Sequence, residues 1–201
     1  KRQVIERHFK KNDRVLYALV KIYGLVEVVK SDCYFHNLCR SICSQQLSTK
    51  VARVIFERFK NLLPEQRVIA EEVLRLDDEN LRAVGLSYSK ISYIKDLSQK
   101  VVDGSVDFSQ INNWTHEEVV EHLTQVKGIG VWTCEMFMMS TLGREDVFSN
   151  GDLGLKRAIQ KLYGLEDLPT IKQMEKITVK WRPYRTYASK LLWRSLANDP
   201  I

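Results

Sequence analysis

Cysteine and histidine are too few and too irregularly spaced in these 201 residues to suggest a metal centre. Cys33, Cys39, Cys43 and Cys134 form no CxxC pair, and none of the four histidines has a partner at HxxxH spacing, which argues against a zinc site. Buried free thiols are the expected state of the cysteines. No apolar run approaches the length needed to cross a bilayer, and neither a signal peptide nor a lipidation motif is recognisable. A membrane partner is therefore not expected, and a reducing intracellular compartment is. Strand-like alternation is missing too, as are internal repeats, low-complexity tracts and any linker long enough to isolate a domain.

What is present is an ordinary globular composition, 44% hydrophobic and 28% charged, with enough chain for one domain or two closely packed lobes. The net charge of +6 points toward a polyanionic partner. The excess is concentrated late, where Lys156, Arg157, Lys161, Lys172, Lys176, Lys180, Arg182, Arg185, Lys190 and Arg194 outnumber the nearby acids. A solvated helix face accounts equally well for each of these taken singly.

Apolar residues recur at helical spacing through Val15, Leu16, Leu19, Val20 and Tyr23, through Phe35, Leu38 and Ile42, and through Val51, Val54, Ile55 and Phe59. The pattern predicts an all-α protein. Its punctuation is Gly24, Ser31 as an N-cap, Pro64, Asp77 before a short helix ending near Gly85, and Ser87 or Ser89 before the next. Thr115 with Glu118 fits a capping box. Later helices are predicted over residues 131–142, 153–163, 170–180 and 183–196, the last with Pro183 in its first turn. The longest irregular stretch, residues 103–114, is expected to connect the lobes.

Two features carry chemistry. Gly128 and Gly130 flank Ile129 after an amphipathic stretch, so the backbone can turn sharply with its N–H groups outward, which makes a phosphate cradle. Asp152 stands about one helix length further on, at the predicted start of another helix, where a carboxylate serves either as an N-cap or as a catalytic group.

Residues 123–133 (Leu-Thr-Gln-Val-Lys-Gly-Ile-Gly-Val-Trp-Thr) resemble the hairpin of the helix-hairpin-helix DNA glycosylases, of the 3-methyladenine DNA glycosylase II type. Residues 147–152 (Val-Phe-Ser-Asn-Gly-Asp) are similar to the segment that carries their catalytic aspartate. Further matches lie at residues 41–48 (Ser-Ile-Cys-Ser-Gln-Gln-Leu-Ser), at 81–87 with Lys90, Tyr93 and Ile94, and at 181–189 with Leu192 and Trp193. The chain departs from the family in having Asn150 and Gly151 where a proline or second acid often precedes the aspartate, and its cysteines do not fit the iron–sulfur spacing of the endonuclease III branch.

The resemblance implies a single glycosylase domain over residues 1–201, two helical lobes with the DNA and base-binding cleft between them, and a helix-hairpin-helix at about 117–142. It implies a monomer of base excision repair that removes alkylated purines such as 3-methyladenine from double-stranded DNA by hydrolysis. The location would be the nucleus in a eukaryote and the cytoplasm or nucleoid in a bacterium. Asp152 would be catalytic. Trp132 stands where bifunctional relatives carry a lysine nucleophile, so no Schiff base forms there, and Trp132, Trp193 and Met136 would line the base pocket. Met138 and Met139 are expected in the core. Lys127, Gly128, Ile129 and Gly130 would hold backbone phosphates, while Gln45, Gln46 and Leu47 would fill the gap left by the extruded nucleotide. Lys50, Arg53, Arg182 and Arg185 are candidate phosphate contacts, the last two equally able to form structural ion pairs. No catalytic cofactor is expected, but a structural Na or K ion on the backbone carbonyls of Val126 and Gly128 is implied.

Three other readings use part of the same pattern. A non-catalytic helix-hairpin-helix module would keep the glycine turn without needing Asp152 or the paired tryptophans. A glycosylase for other damaged bases is disfavoured by Trp132 and the missing cluster cysteines. A helical protein-interaction domain explains the periodicity but not the glycine turn.

Overall fold

A computed structural model describes residues 1–197, and among these every regular element is helical. The α-helices are α1 (Arg2–Asn12), α2 (Arg14–Tyr23), α3 (Tyr34–Ser44), α4 (Thr49–Asn61), α5 (Ala70–Arg75), α6 (Asp78–Ala83), α7 (Tyr88–Val102), α8 (His116–Thr124), α9 (Val131–Ser140), α10 (Leu153–Tyr163), α11 (Ile171–Thr178) and α12 (Arg185–Ala197). Two compact units divide the chain, one formed by residues 1–30 with those from 138 onward, the other by residues 31–137. No helix among the described residues is long and apolar enough to cross a membrane.

In the unit that holds both ends of the described chain, α1 packs on α2, and α12 packs on both α2 and α10. Phe9, Leu16, Leu155, Ile159, Trp181, Leu191 and Leu192 form its core. A carboxylate sits inside that core: Asp13 caps α2 through the amides of Val15 and Leu16. Its Oδ2 accepts from the Tyr163 hydroxyl and the Trp181 indole, both at 2.6 Å, and pairs with the Lys180 ammonium at 3.1 Å. A buried charge is tolerated only when so fully partnered.

The other unit is organised on α7, which packs against α3, α5 and α6 through Ile91, Ile94 and Leu97. Here α4 turns a different stripe inward from the one its valines suggest. Ala52, Ile55, Phe56 and Phe59 are buried, whereas Val51 and Val54 are exposed. Apolar residues occupy two faces of this helix, and burying Phe56 removes more surface from water than burying a valine.

Residues 103–114 lie wholly inside this second unit and do not connect the two. The chain passes between units at Lys30 to Ser31 and, within α9, at Phe137 to Met138. The loop is pinned by its own chemistry: Asp103 accepts from the Ser105 amide and hydroxyl, Asp107 does the same for Ser109, and Gln125 donates to the Ser105 carbonyl.

Local signals fare unevenly. The Thr115 and Glu118 capping box forms, Ser87 caps α7, and α10 spans the predicted residues. Ser31 does not cap α3; Cys33 is the boundary residue, and the Ser31 hydroxyl accepts instead from the Cys33 amide and Asn37. The α11 helix stops at Thr178, followed by a 3-10 turn, and α12 starts two residues after Pro183. The four thiols are free, with Cys39, Cys43 and Cys134 buried and Cys33 exposed. Burial pushes the Cys43 and Cys134 thiols up to about 12, so neither is a ready nucleophile.

Candidate active site

The hairpin is built in the second unit between α8 and α9. Val126 is buried, Gly128 takes φ +77°, and the Ile129 amide returns to the Val126 carbonyl at 3.1 Å. A side chain at Gly128 would place its Cβ 2.1 Å from the Tyr93 ring, so both the φ value and the packing demand glycine there. Gly130 has neither requirement. Its φ is not positive, and among the described residues nothing lies within 4 Å of an added Cβ.

Which amides remain for an anion follows from the bonds already made. The Lys127 amide donates to Asp96 Oδ2 at 2.9 Å, and the Ile129 amide is spent inside the turn. Those of Gly128, Gly130 and Val131 have no acceptor among the described residues and stand at the exposed N-terminus of α9. Helix N-termini with unspent N–H groups attract phosphate oxygens. The Lys127 ammonium is exposed and 3.9 Å from Asp96.

Asp96 and Tyr93 come from α7 and left no local sign in the sequence of their part in the site. Burial raises the Asp96 carboxyl, but hydrogen bonds from the Lys100 ammonium and the Lys127 amide outweigh it and leave the group below the usual carboxylate range. Lys100 reaches both Asp96 oxygens at 2.8 Å. One stripe of α7 thus fixes the hairpin: Tyr93 beneath Gly128, Asp96 on Lys127, Lys100 on Asp96.

The turn between α3 and α4 sorts the three residues expected to enter the duplex. Gln46 and Leu47 are exposed, Gln46 with φ +57°. Gln45 is not; its Nε2 donates to the Gly128 carbonyl at 2.8 Å. That bond also bears on the monovalent cation. The Gly128 oxygen accepts the Gln45 amide and the Val126 oxygen accepts from Ile129, and each carbonyl keeps a second lone pair with which it could hold such an ion.

In the other unit, Asp152 ends a tight turn in which its amide donates to the Ser149 carbonyl at 3.2 Å. Asn150 and Gly151 therefore still deliver the carboxylate to the start of α10. Asp152 is the N-cap, with Oδ1 accepting from the Leu155 amide at 2.7 Å, and the same oxygen accepts from the Trp193 indole N–H at 3.0 Å. Gly154 makes room for this pair: a Cβ there would lie 3.0 Å from Asp152 Oδ1 and 3.3 Å from Trp193 Cδ1. No sequence pattern singled out Gly154.

Helix α12 supports the approach to Asp152 as well as carrying Trp193. Arg185 grips the Asp146 carboxylate at 2.7 and 3.1 Å and the Asp146 carbonyl at 2.9 Å. The Thr186 hydroxyl donates to the Arg144 carbonyl and accepts from the Val147 amide. Arg185 is thus a structural ion pair and leaves the set of candidate phosphate contacts. Arg182, 3.5 Å from Asp146, keeps a largely exposed side chain, and Lys50 and Arg53 are exposed. Trp132 is 47% exposed, which sets core packing aside for it, while Met136 and Trp193 are half-buried. Met138 and Met139 are core residues.

A family model for HhH-GPD superfamily base excision DNA repair proteins matches residues 39–183. DNA-3-methyladenine glycosylase 1 of Schizosaccharomyces pombe is 35% identical over 163 residues, covering 80% of this chain and 72% of that protein. The solved structure of an S. pombe 3-methyladenine DNA glycosylase in complex with abasic DNA superposes with a TM-score of 0.86 at 32% identity, covering 96% of each chain. A DNA-3-methyladenine glycosidase from Bacillus halodurans superposes with a TM-score of 0.83 at 36% identity, over 96% of this chain and 89% of that one. With the hairpin braced on α7 and a capping aspartate in the matched segment, the chain belongs to the helix-hairpin-helix superfamily of base excision DNA repair proteins.

Proposed function

We propose that the protein is a monofunctional DNA glycosylase that hydrolyses the N-glycosidic bond of alkylated purines such as 3-methyladenine in double-stranded DNA, acting as a monomer and leaving an abasic site. The observation that carries this reading is the Asp152 carboxylate, one oxygen of which is fixed by the Leu155 amide and the Trp193 indole. Loss of the base builds positive charge on the sugar, and a carboxylate held in place stabilises that charge more than it stabilises the neutral ground state. The same group orients the attacking water. Alkylation at a ring nitrogen already makes the purine a good leaving group, so the reaction needs no strong general acid. Trp132 brings no amine, which leaves water as the nucleophile.

The nucleotide must first leave the stack, at a cost of a few kcal/mol. The unspent amides at Gly128, Gly130 and Val131 and the charge of Lys127 hold the backbone, and Gln46 and Leu47 occupy the vacated space. The aromatic faces of Trp132 and Trp193 suit an alkylated base. A cationic purine gains roughly 0.5 to 2 kcal/mol from each aromatic face it meets.

Single-turnover release of bases from methylated duplex DNA tests the reading. Wild type should release 3-methyladenine, and Asp152→Asn should slow release by about a hundredfold or more while sparing affinity for the duplex. Borohydride should trap no covalent adduct with DNA, because no lysine stands at position 132. Equal rates in the two proteins would remove Asp152 from the chemistry. Binding without release by wild type would leave a DNA-binding module, and a trapped adduct would require a lyase.

A further inference from the structure

The segment connecting α3 to α4 is held at its root and tethered at one further point. Lys90 of α7 donates its ammonium to the Cys43 carbonyl at 2.9 Å, fixing the end of α3. Gln45 follows in extended geometry, Gln46 takes a left-handed conformation that a residue other than glycine adopts only at a cost, and the Leu47 amide closes the turn on the Ser44 carbonyl at 3.2 Å. Ser48 then caps α4. Within this turn the Gln45 side chain reaches across 83 positions to the hairpin, where its Nε2 donates to Gly128 at 2.8 Å.

We infer that Gln45 is a positioning residue that couples the insertion turn to the phosphate-binding hairpin. The inference rests on the functional reading above. The hairpin that grips the backbone of the damaged strand also holds, through the Gly128 carbonyl, the turn that presents Gln46 and Leu47. Gly128 can move little in response, since Tyr93 lies against it and Asp96 holds its neighbour Lys127. Backbone capture and filling of the gap are thereby kept in register. The coupling depends on a donor at position 45. A carboxamide supplies one, a protonated carboxyl supplies one, and an ionised carboxylate does not.

Gln45→Ala and Gln45→Glu test this, read by single-turnover base release at saturating protein and by 2-aminopurine fluorescence beside an abasic analogue in the duplex. The second readout follows insertion without requiring chemistry. Each variant is expressed as a ratio to wild type between about pH 5 and pH 8, a range that brackets a glutamate raised by a facing carbonyl. Gln45→Ala should lower both signals about five- to tenfold at every pH, the loss of one hydrogen bond, with duplex affinity within about twofold. Gln45→Glu should match Gln45→Ala or fall below it at the high end and recover toward wild type at the low end. A ratio for Gln45→Glu that is flat with pH would overturn the coupling. So would a loss in either variant that appears as affinity and changes with the base opposite the lesion, since Gln45 would then touch DNA directly. If wild type inserts but releases no base, the functional reading fails while the fluorescence still decides the coupling. If it does not insert, both fall.

Discussion

One oxygen of Asp152 already accepts two hydrogen bonds, so the carboxylate cannot rotate without giving up a helix cap. Preorganisation of this kind lets a single charge act on a transition state without first reorienting. The two hairpin glycines separate on the same logic of what each atom meets. Gly128→Ala forces a Cβ into the Tyr93 ring at φ +77° and should destabilise the fold by roughly 2 to 4 kcal/mol, read as a lower urea midpoint. At Gly130 an added Cβ meets nothing within 4 Å among the described residues, so Gly130→Val should move the unfolding midpoint far less than Gly128→Ala. Its branched side chain stands beside the unspent amides of the proposed cradle, so affinity should fall at all DNA sequences at matched salt. Unchanged affinity for Gly130→Val would mean that phosphates do not approach this backbone.

Helix α7 shows which parts of the site a reader of the sequence could reach. Signals contained in one turn were legible: the capping box of α8, the turn at Gly128, and the aspartate that starts α10 all state their local geometry. Tyr93 and Asp96 were not legible as hairpin supports, because their partners lie more than thirty positions away and a tyrosine and an aspartate on a helix carry no mark of distant contacts. The buried stripe of α4 failed for another reason, since Val51 and Val54 fit helical spacing as well as Ala52 and Phe56 do. The support from α7 is testable as an element. Asp96→Ala strips the acceptor from the Lys127 amide and a partner from Lys100, loosening the hairpin without touching Asp152. Affinity for duplex DNA should fall about five- to tenfold, and single-turnover base release at saturating protein should fall as well, because the hairpin that Asp96 holds also anchors the Gln45 tether. A loss of affinity with base release unchanged would show that Asp96 supports only the grip on the backbone.

Across the whole molecule the charge excess is partly consumed inside the fold, and the stability that frees the site to hold unspent amides has to come from elsewhere. In the unit that carries Asp152, one contribution comes from Asp13, which joins α1, α2, α10 and the segment after α11 through Tyr163, Trp181 and Lys180. Burial raises the Asp13 carboxyl, but the bonds from Tyr163, Trp181, the Leu16 amide and Lys180 together outweigh it, and the group lies below its ordinary 3.8. The folded state therefore binds a proton at Asp13 less tightly than the unfolded chain does. The stabilisation is fully present above about pH 4, drains as pH falls toward and through the lowered folded value, and is absent below it. Asp13→Asn keeps an acceptor for the cap of α2 but turns an amide donor toward an indole N–H and an ammonium, neither of which can accept. At neutral pH it should cost roughly 3 to 5 kcal/mol in urea unfolding. Other carboxyls add their own acid slopes to both proteins, so the informative quantity is the gap between wild type and Asp13→Asn. That gap should be constant from about pH 7 to pH 5 and close below about pH 4, because protonated wild type loses the same ion pair that the variant lacks. A gap that persists unchanged at the acid end would mean that Asp13 stabilises the fold through packing rather than through its charge.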